Sequence, residues 1–114
     1  MRTVTHVLAS GGNAAASRQS DIFDPNNGGI QGKVDLGDAA VLDKAVDAAL
    51  AAQPAWAATN PQRRARVMFK FKELVEAHMD ELANLLSIEH GKVIADSKGD
   101  IQRGLEVIEF CCGI

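Results

Sequence analysis

The chain has 114 residues, of which 46% are hydrophobic and 24% are charged, and this ordinary globular composition excludes a disordered, collagen-like or disulfide-rich chain. That length allows one modest domain and no second complete one. The net charge of −3 gives no broad positive surface for a nucleic-acid backbone, and no apolar run could cross a bilayer or act as a signal peptide. We therefore expect a cytoplasmic protein with no nucleic-acid or membrane partner.

Residues 1–36 alternate short β-prone runs with turn-forming residues. The β-prone runs are residues 3–8, 20–23 and 30–36, and the turns are Ser10-Gly11-Gly12-Asn13 and residues 24–29. The pattern predicts a short N-terminal β-hairpin or meander. Strands this few and short need helices or a larger sheet to cover them.

Helical patterns occupy residues 37–114. Asp38 is placed to cap an alanine-rich helix over residues 39–53, which Pro54 is expected to close, with Trp56 beyond it as an apolar plug. Asn60-Pro61 is typical of a helix start, because asparagine caps the first amides and proline tolerates the first helical position.

The helix that begins at Asn60-Pro61 carries an apolar stripe that is long for one helix. We expect a kink or break at His78-Met79-Asp80 and an end at Gly91, which supplies the left-handed conformation. The stripe consists of Val67, Phe71, Leu74, Leu82 and Leu85.

A last helix is predicted from about Ala95-Asp96 to Cys112. It contains Gly99 and Gly104, which each cost about 1 kcal/mol relative to alanine, so we expect close packing there against a neighbour or a ligand. Its inward face is predicted to consist of Ile94, Ile101, Leu105, Ile108 and Cys112.

Several segments have the residue order of one enzyme family. They are Asp24-Pro25-Asn26-Asn27-Gly28-Gly29-Ile30, residues 42–52, Gln53-Pro54-Ala55-Trp56, residues 61–71, Glu89-His90-Gly91-Lys92 and residues 99–110. Together these segments resemble the start of aldehyde dehydrogenases. The last three are similar to the methylmalonate-semialdehyde dehydrogenase branch.

The resemblance implies an α/β, aldehyde dehydrogenase-like fold. This segment of it is helix-rich, with a short N-terminal β-hairpin or meander followed by three or four α-helices. Residues 1–114 then form the N-terminal part of the cofactor-binding domain, with strands and turns in residues 1–36 and helices in residues 37–114, and the catalytic domain is absent. The chain stops just before the cofactor-binding portion is expected to begin.

The resemblance also implies a parent enzyme that oxidises malonate or methylmalonate semialdehyde with NAD and passes the acyl group to coenzyme A. The family's nucleophilic cysteine, glutamate base, oxyanion-hole asparagine and glycine-containing cofactor turn have no counterpart here. We therefore expect no catalytic, cofactor-binding or metal-binding residue, and a segment that is inactive alone and binds neither NAD nor coenzyme A. Its partners are expected to be the rest of the dehydrogenase chain or subunits of a homo-oligomer, and the semialdehyde substrate.

Arg103 is the single candidate substrate-binding residue. In the resembled branch an arginine at the matching position contacts the substrate carboxylate, which a guanidinium fork holds with two parallel bonds. Gly104 next to it leaves room for the ligand. From spacing alone, Arg103 is instead a surface arginine paired with Asp100 or Glu106. The alternative for the whole chain is a truncated, noncatalytic helical module that binds a partner protein.

Other reactive side chains are interpreted as structural. Cys111 and Cys112 are expected to be reduced, buried thiols rather than nucleophiles, and His78 and His90 to be structural residues. Arg63, Arg64 and Arg66 lie at a helix N-terminus, where an acidic group from another element or subunit is expected to offset them. The glycine pairs Gly11-Gly12 and Gly28-Gly29 lack the third glycine and following helix of a dinucleotide turn.

Overall fold

The computed structural model describes residues 1–9 and 16–113. The chain divides into two compact units, Met1–Ala58 and Thr59–Ile114. Within the described residues, the first unit contains a small sheet and one helix, and the second contains three helices. The turn predicted at residues 10–13 lies outside the described residues. No helix among those described is both long enough and apolar enough to cross a membrane.

The sheet of the first unit has three strands, β1 (Arg2–Val4), β2 (Arg18–Phe23) and β3 (Ile30–Leu36). Their order is β1-β3-β2, with β2 antiparallel and β1 parallel to β3. The predicted hairpin is therefore formed by β2 and β3. In a meander β1 would pair with β2, but here it pairs with the other side of β3. The predicted helix-rich α/β arrangement with N-terminal strands is confirmed.

Side-chain pairs and one glycine fix the strand register. Opposite residues Asp21 and Lys33 form an ion pair with a distance of 2.8 Å between the carboxylate oxygen and Nζ. A Cβ added at Gly32 would lie 2.8 Å from the carbonyl oxygen of Arg2, closer than such atoms approach. Glycine at position 32 is therefore what lets β1 reach β3.

The helix of the first unit, α1, spans Ala39–Ala58. Asp38 caps it as predicted, since its carboxylate accepts a hydrogen bond of 3.0 Å from the amide of Val41. The prediction that Pro54 closes the helix is wrong, because Pro54 lies inside α1. A proline strains the turn before it, but the alanine-rich run that follows has high helix propensity and continues the helix. Trp56 lies within α1 and is 47% exposed, so among the described residues it is not the predicted plug.

The second unit begins with the two helices predicted from the long apolar stripe, α2 (Pro61–Ala77) and α3 (Met79–His90). The side chain of Asn60 caps α2 by accepting a hydrogen bond of 2.8 Å from the amide of Gln62. His78 separates the two helices, so the predicted break is confirmed.

The third helix of the second unit, α4, spans Ile94–Cys111 and follows the turn at Gly91. Gly91 has a φ of 85°, and its amide donates to the carbonyl of Ser87 at 2.8 Å, as predicted for a helix-ending glycine. A residue with a Cβ is strained at this φ. Gly91 therefore sets the direction in which the chain enters α4.

The core of the second unit lies where α4 packs on α2 and α3. Ala83, Ser97 and Leu105 are buried, and the hydroxyl of the fully buried Ser97 hydrogen-bonds that of Ser87 at 2.7 Å. The predicted inward position of Leu105 is confirmed, whereas the prediction for Ile94 is wrong. Ile94 is 41% exposed because it is the first residue of α4, where the helix has no preceding turn to pack against a neighbour.

Candidate functional site

Arg103 lies in the middle of α4 with an exposed side chain. Leu105, two residues further along, is only 3% exposed in the core of the second unit. Residues two positions apart on a helix point about 200° apart, so the burial of Leu105 turns Arg103 towards solvent. The core of the second unit thus determines the face on which the guanidinium is presented.

The guanidinium of Arg103 makes no hydrogen bond or ion pair with any residue that the structure describes. The alternative interpretation paired it with Asp100 or Glu106, one turn away on α4. That pairing is not found: Asp100 pairs with Lys92 instead, and Glu106 is exposed. Arg103 therefore keeps its five donors available for a ligand.

Asp100 is held by a charge-assisted hydrogen bond from the ammonium group of Lys92. This bond lowers the pKa of Asp100 below its ordinary value, and the positive charges of Lys92, His90 and Arg103 lower it further, while partial desolvation opposes them. Lys92 follows the turn at Gly91, and its side chain is 21% exposed. The pair thus links the α3–α4 connection to the helix that carries Arg103.

Gly99 and Gly104 flank this part of α4 and both face open space. A Cβ added at either position would have nothing within 4 Å. The close packing predicted at these glycines is therefore not found among the described residues. Gly104 leaves the surface beside Arg103 low and open, as the prediction of a ligand next to it requires.

The cysteines were predicted to be buried thiols, and the histidines to be structural residues. Cys111 and Cys112 are free thiols and half-buried at the end of α4. No group of three or more metal-ligating side chains is found among the described residues. The Nδ1 atom of His78 lies 2.8 Å from the carbonyl oxygen of Leu74, so the side chain caps the end of α2. This contact agrees with the structural role predicted for His78.

The basic patch at the start of α2 lacks its predicted acidic neighbour within the described part of the chain. Arg63, Arg64 and Arg66 form no ion pair there. The Nε atom of Arg64 is buried without a hydrogen-bond partner among the described residues. The group that offsets this patch was predicted to come from another element or subunit, and that remains a prediction.

Both units expose large apolar side chains. On α1, Leu50 is 64% exposed, and on α4, Phe110 is 70% exposed. The second unit also has an apolar hollow of about 390 Å³, lined by Phe71, Leu74 and Leu82 of the predicted stripe. Exposed apolar surface on this scale is typical of a protein surface that other protein covers.

The turn between β2 and β3 does not fit a dinucleotide. A dinucleotide turn leads from a strand into a helix, whereas Gly28-Gly29 leads from one strand to the next. The carboxylate of Asp24 accepts hydrogen bonds from the amide of Asn26 at 2.8 Å and the side-chain amide of Asn27 at 2.9 Å. A negative carboxylate in this position repels a pyrophosphate. The described residues of this turn therefore do not form a dinucleotide-binding turn.

Comparison with known proteins decides the family. A model described as the aldehyde dehydrogenase family matches residues 13–114. The chain belongs to the aldehyde dehydrogenase family. Malonate-semialdehyde dehydrogenase of Pseudomonas aeruginosa is 41% identical over 112 residues, which cover 98% of this chain and 22% of that protein. The mitochondrial acylating methylmalonate-semialdehyde/malonate-semialdehyde dehydrogenase of Mus musculus is 36% identical over 94 residues, covering 82% of this chain and 18% of that protein.

Solved aldehyde dehydrogenase structures contain the same arrangement of strands and helices. Methylmalonate-semialdehyde dehydrogenase from Oceanimonas doudoroffii matches with a TM-score of 0.95 at 41% identity, covering 99% of this chain and 23% of that one. An NAD complex from Sinorhizobium meliloti 1021, assigned as a methylmalonate-semialdehyde dehydrogenase, matches with a TM-score of 0.93 at 53% identity and the same coverage. This family member thus spans less than a quarter of the length of its relatives. The predicted resemblance and fold are confirmed.

Sequence reasoning did not find the pairing of Lys92 with Asp100. Both residues lie in segments that carry the family resemblance, but they are eight positions apart across the end of α3. Helical spacing indicates pairs only within one helix. The sequence signal that could have indicated the contact is Gly91, whose left-handed turn directs Lys92 towards the first turns of α4.

Proposed function

We propose that this chain is the N-terminal part of an NAD-dependent, coenzyme A-acylating dehydrogenase of malonate or methylmalonate semialdehyde, in which Arg103 binds the substrate carboxylate. Family membership and the names of the relatives support the reaction class. The observation that carries the role of Arg103 is its exposed guanidinium, which has no hydrogen-bond partner among the described residues although two carboxylates lie within one helical turn.

The chemistry of the substrate explains why an arginine suits this position. Both semialdehydes carry a carboxylate close to the aldehyde. A guanidinium binds a carboxylate through two parallel N–H···O bonds, which fix its orientation as well as its position, whereas an ammonium group acts as a point charge. Arg103 thus orients the substrate so that its aldehyde points in one direction, towards reacting groups supplied by the rest of the enzyme.

In this proposal the segment is a scaffold and one wall of the substrate pocket. In the same proposal, NAD and coenzyme A are held by residues outside the segment. The turn at Gly28-Gly29 supports this for NAD only, because it leads into a strand and not into a helix. The exposed apolar surfaces of both units are covered by the remainder of the dehydrogenase. The segment on its own is therefore expected to be inactive. Its location is proposed to be the cytoplasm and its assembly a homo-oligomer.

The test replaces Arg103 in a full-length dehydrogenase that carries this segment. Arg103→Ala is expected to lower kcat/KM for malonate semialdehyde by about 100-fold, since it removes two hydrogen bonds to a charged group. Its kcat/KM for propanal, which has no carboxylate, should not change. Arg103→Lys should recover only part of the loss, because lysine keeps the charge and loses the fork.

Lys44→Ala is the control, since it removes an exposed cation that pairs with no residue the structure describes. It should leave both substrates unaffected. Equal losses for malonate semialdehyde and propanal in Arg103→Ala would contradict the assignment, because a general defect in folding or catalysis has no preference for a carboxylate.

A further inference from the structure

Asp100 is the carboxylate on α4 best placed to compete with a substrate for Arg103. It lies three residues before Arg103, a spacing at which helical side chains meet. Acid–base pairs with the acid on the N-terminal side are the more favourable ones, so Asp100 competes more strongly than Glu106, which follows Arg103 by three residues. An intramolecular carboxylate needs no binding step, and so a carboxylate that is not otherwise paired competes with the substrate for the guanidinium.

In the structure, Asp100 pairs with Lys92 and not with Arg103. The ammonium group of Lys92 donates to Asp100, and its side chain is only 21% exposed while that of Asp100 is 51% exposed. A partly buried ion pair is less screened by salt than a fully exposed one. The hydrogen bond from Lys92 is the largest cause of the lowered pKa of Asp100, so the bond favours the ionised carboxylate.

We propose that Lys92 is a positioning residue for the substrate carboxylate, because it holds Asp100 and so leaves the guanidinium of Arg103 unoccupied. The proposal rests on the function proposed above for Arg103. It adds a second residue, outside α4, that determines how well the enzyme binds semialdehydes with a carboxylate. Lys92 does not touch the substrate and acts only through Asp100.

The test uses a full-length dehydrogenase carrying this segment and the variant Lys92→Met. Released from Lys92, Asp100 should occupy Arg103 for roughly two thirds of the time, as expected of a surface ion pair, and the KM for malonate semialdehyde should rise about threefold. The kcat for malonate semialdehyde and the KM for propanal should stay unchanged. Lys92→Gln, which keeps a hydrogen bond to Asp100 without the charge, should give a smaller rise and serves as the second variant if Lys92→Met does not fold.

Two further variants separate positioning from a structural role. The double variant Lys92→Met with Asp100→Asn should recover the original KM, because the competing charge is gone, and Lys92→Arg should behave like the unmodified enzyme. A double variant that stays impaired, or a loss that extends to propanal, would overturn the proposal in favour of a purely structural ion pair.

The outcome also distinguishes this proposal from the function on which it rests. If Arg103→Ala shows no carboxylate-specific loss, the role of Arg103 is wrong and that of Lys92 falls with it. If Arg103→Ala shows the loss and neither Lys92→Met nor Lys92→Gln raises the KM, only the role of Lys92 is wrong.

Discussion

Replacing Leu105 by alanine is expected to loosen the packing of α4 on α2 and α3. Leu105 is 3% exposed, so nearly all of its side chain is removed from water on folding. Because Leu105 holds the inner face of α4 while Arg103 lies on the outer face, the same change should also make the position of the guanidinium less fixed.

The size of the effect follows from the burial of Leu105. Leucine to alanine removes three carbon atoms, and at about 0.8 kcal/mol for each buried methylene this is roughly 2.4 kcal/mol before any cavity is counted. A residual cavity adds to this cost, so we expect a loss of about 3 kcal/mol. Gln102→Ala is the control, since Gln102 is an exposed residue of the same helix and its loss should change stability by less than about 0.5 kcal/mol.

Native-state hydrogen exchange of the full-length enzyme measures the loss of stability at individual amides of α4. Some amides of α4 exchange only when the second unit opens. If the free energy of opening falls by about 3 kcal/mol, these amides should exchange roughly 100-fold faster. The KM for malonate semialdehyde should rise in parallel, and Gln102→Ala should change neither. Unchanged exchange of α4 in Leu105→Ala would show that the packing around Leu105 does not hold this helix in place, and would refute the reasoning.

Two other predictions concern hydrogen bonds that hold the helices. The bond from the Val41 amide lowers the pKa of Asp38 below its ordinary value of 3.8, so the stabilisation of α1 by the ionised cap is fully present above that value and is lost as pH falls through the lowered pKa. The protection factors of the amides at the start of α1, which correct for the slower intrinsic exchange at acid pH, should therefore fall at acid pH in the unmodified enzyme and less so in Asp38→Asn. Identical pH profiles of the protection factors would contradict this. Ser97→Ala removes the hydrogen bond between the hydroxyl groups of Ser97 and Ser87 and should lower the free energy of opening of α3 and α4 by about 1 kcal/mol. Ser97→Val should lower it further, because the fully buried site has no space for a second methyl group. Equal amide exchange in the unmodified enzyme and both variants would show that this hydrogen bond contributes nothing.

Much of the helical part of the fold could be predicted because its signals are local. Asn60 starts α2, His78 interrupts the apolar stripe and Gly91 ends α3, each through hydrogen bonds or backbone angles within one turn of the helix. Such features depend on neighbours in sequence, which single-sequence reasoning includes.

The errors come from features that local signals do not determine. A proline disfavours a continued helix, but the alanines after Pro54 favour one, and in the structure the helix continues to Ala58. The parallel pairing of β1 with β3 joins strands separated by the whole of β2, and its requirement for Gly32 becomes visible only when Arg2 is in place.

The role of Arg103 at the candidate site stays a prediction. Arg103 was named from the family resemblance, and composition or spacing alone would have paired it with Asp100 or Glu106. The contact of Lys92 with Asp100 could not be predicted from the sequence, because it depends on the direction of the chain after Gly91.

A structure of a full-length dehydrogenase carrying this segment, with malonate bound as an unreactive analogue of the substrate, tests the role of Arg103 most directly. We expect both oxygens of one malonate carboxylate to lie about 2.7–2.9 Å from two guanidinium nitrogens of Arg103, with Asp100 still bound to Lys92. A malonate carboxylate bound elsewhere, with the Arg103 guanidinium paired to a protein carboxylate, would contradict the proposal.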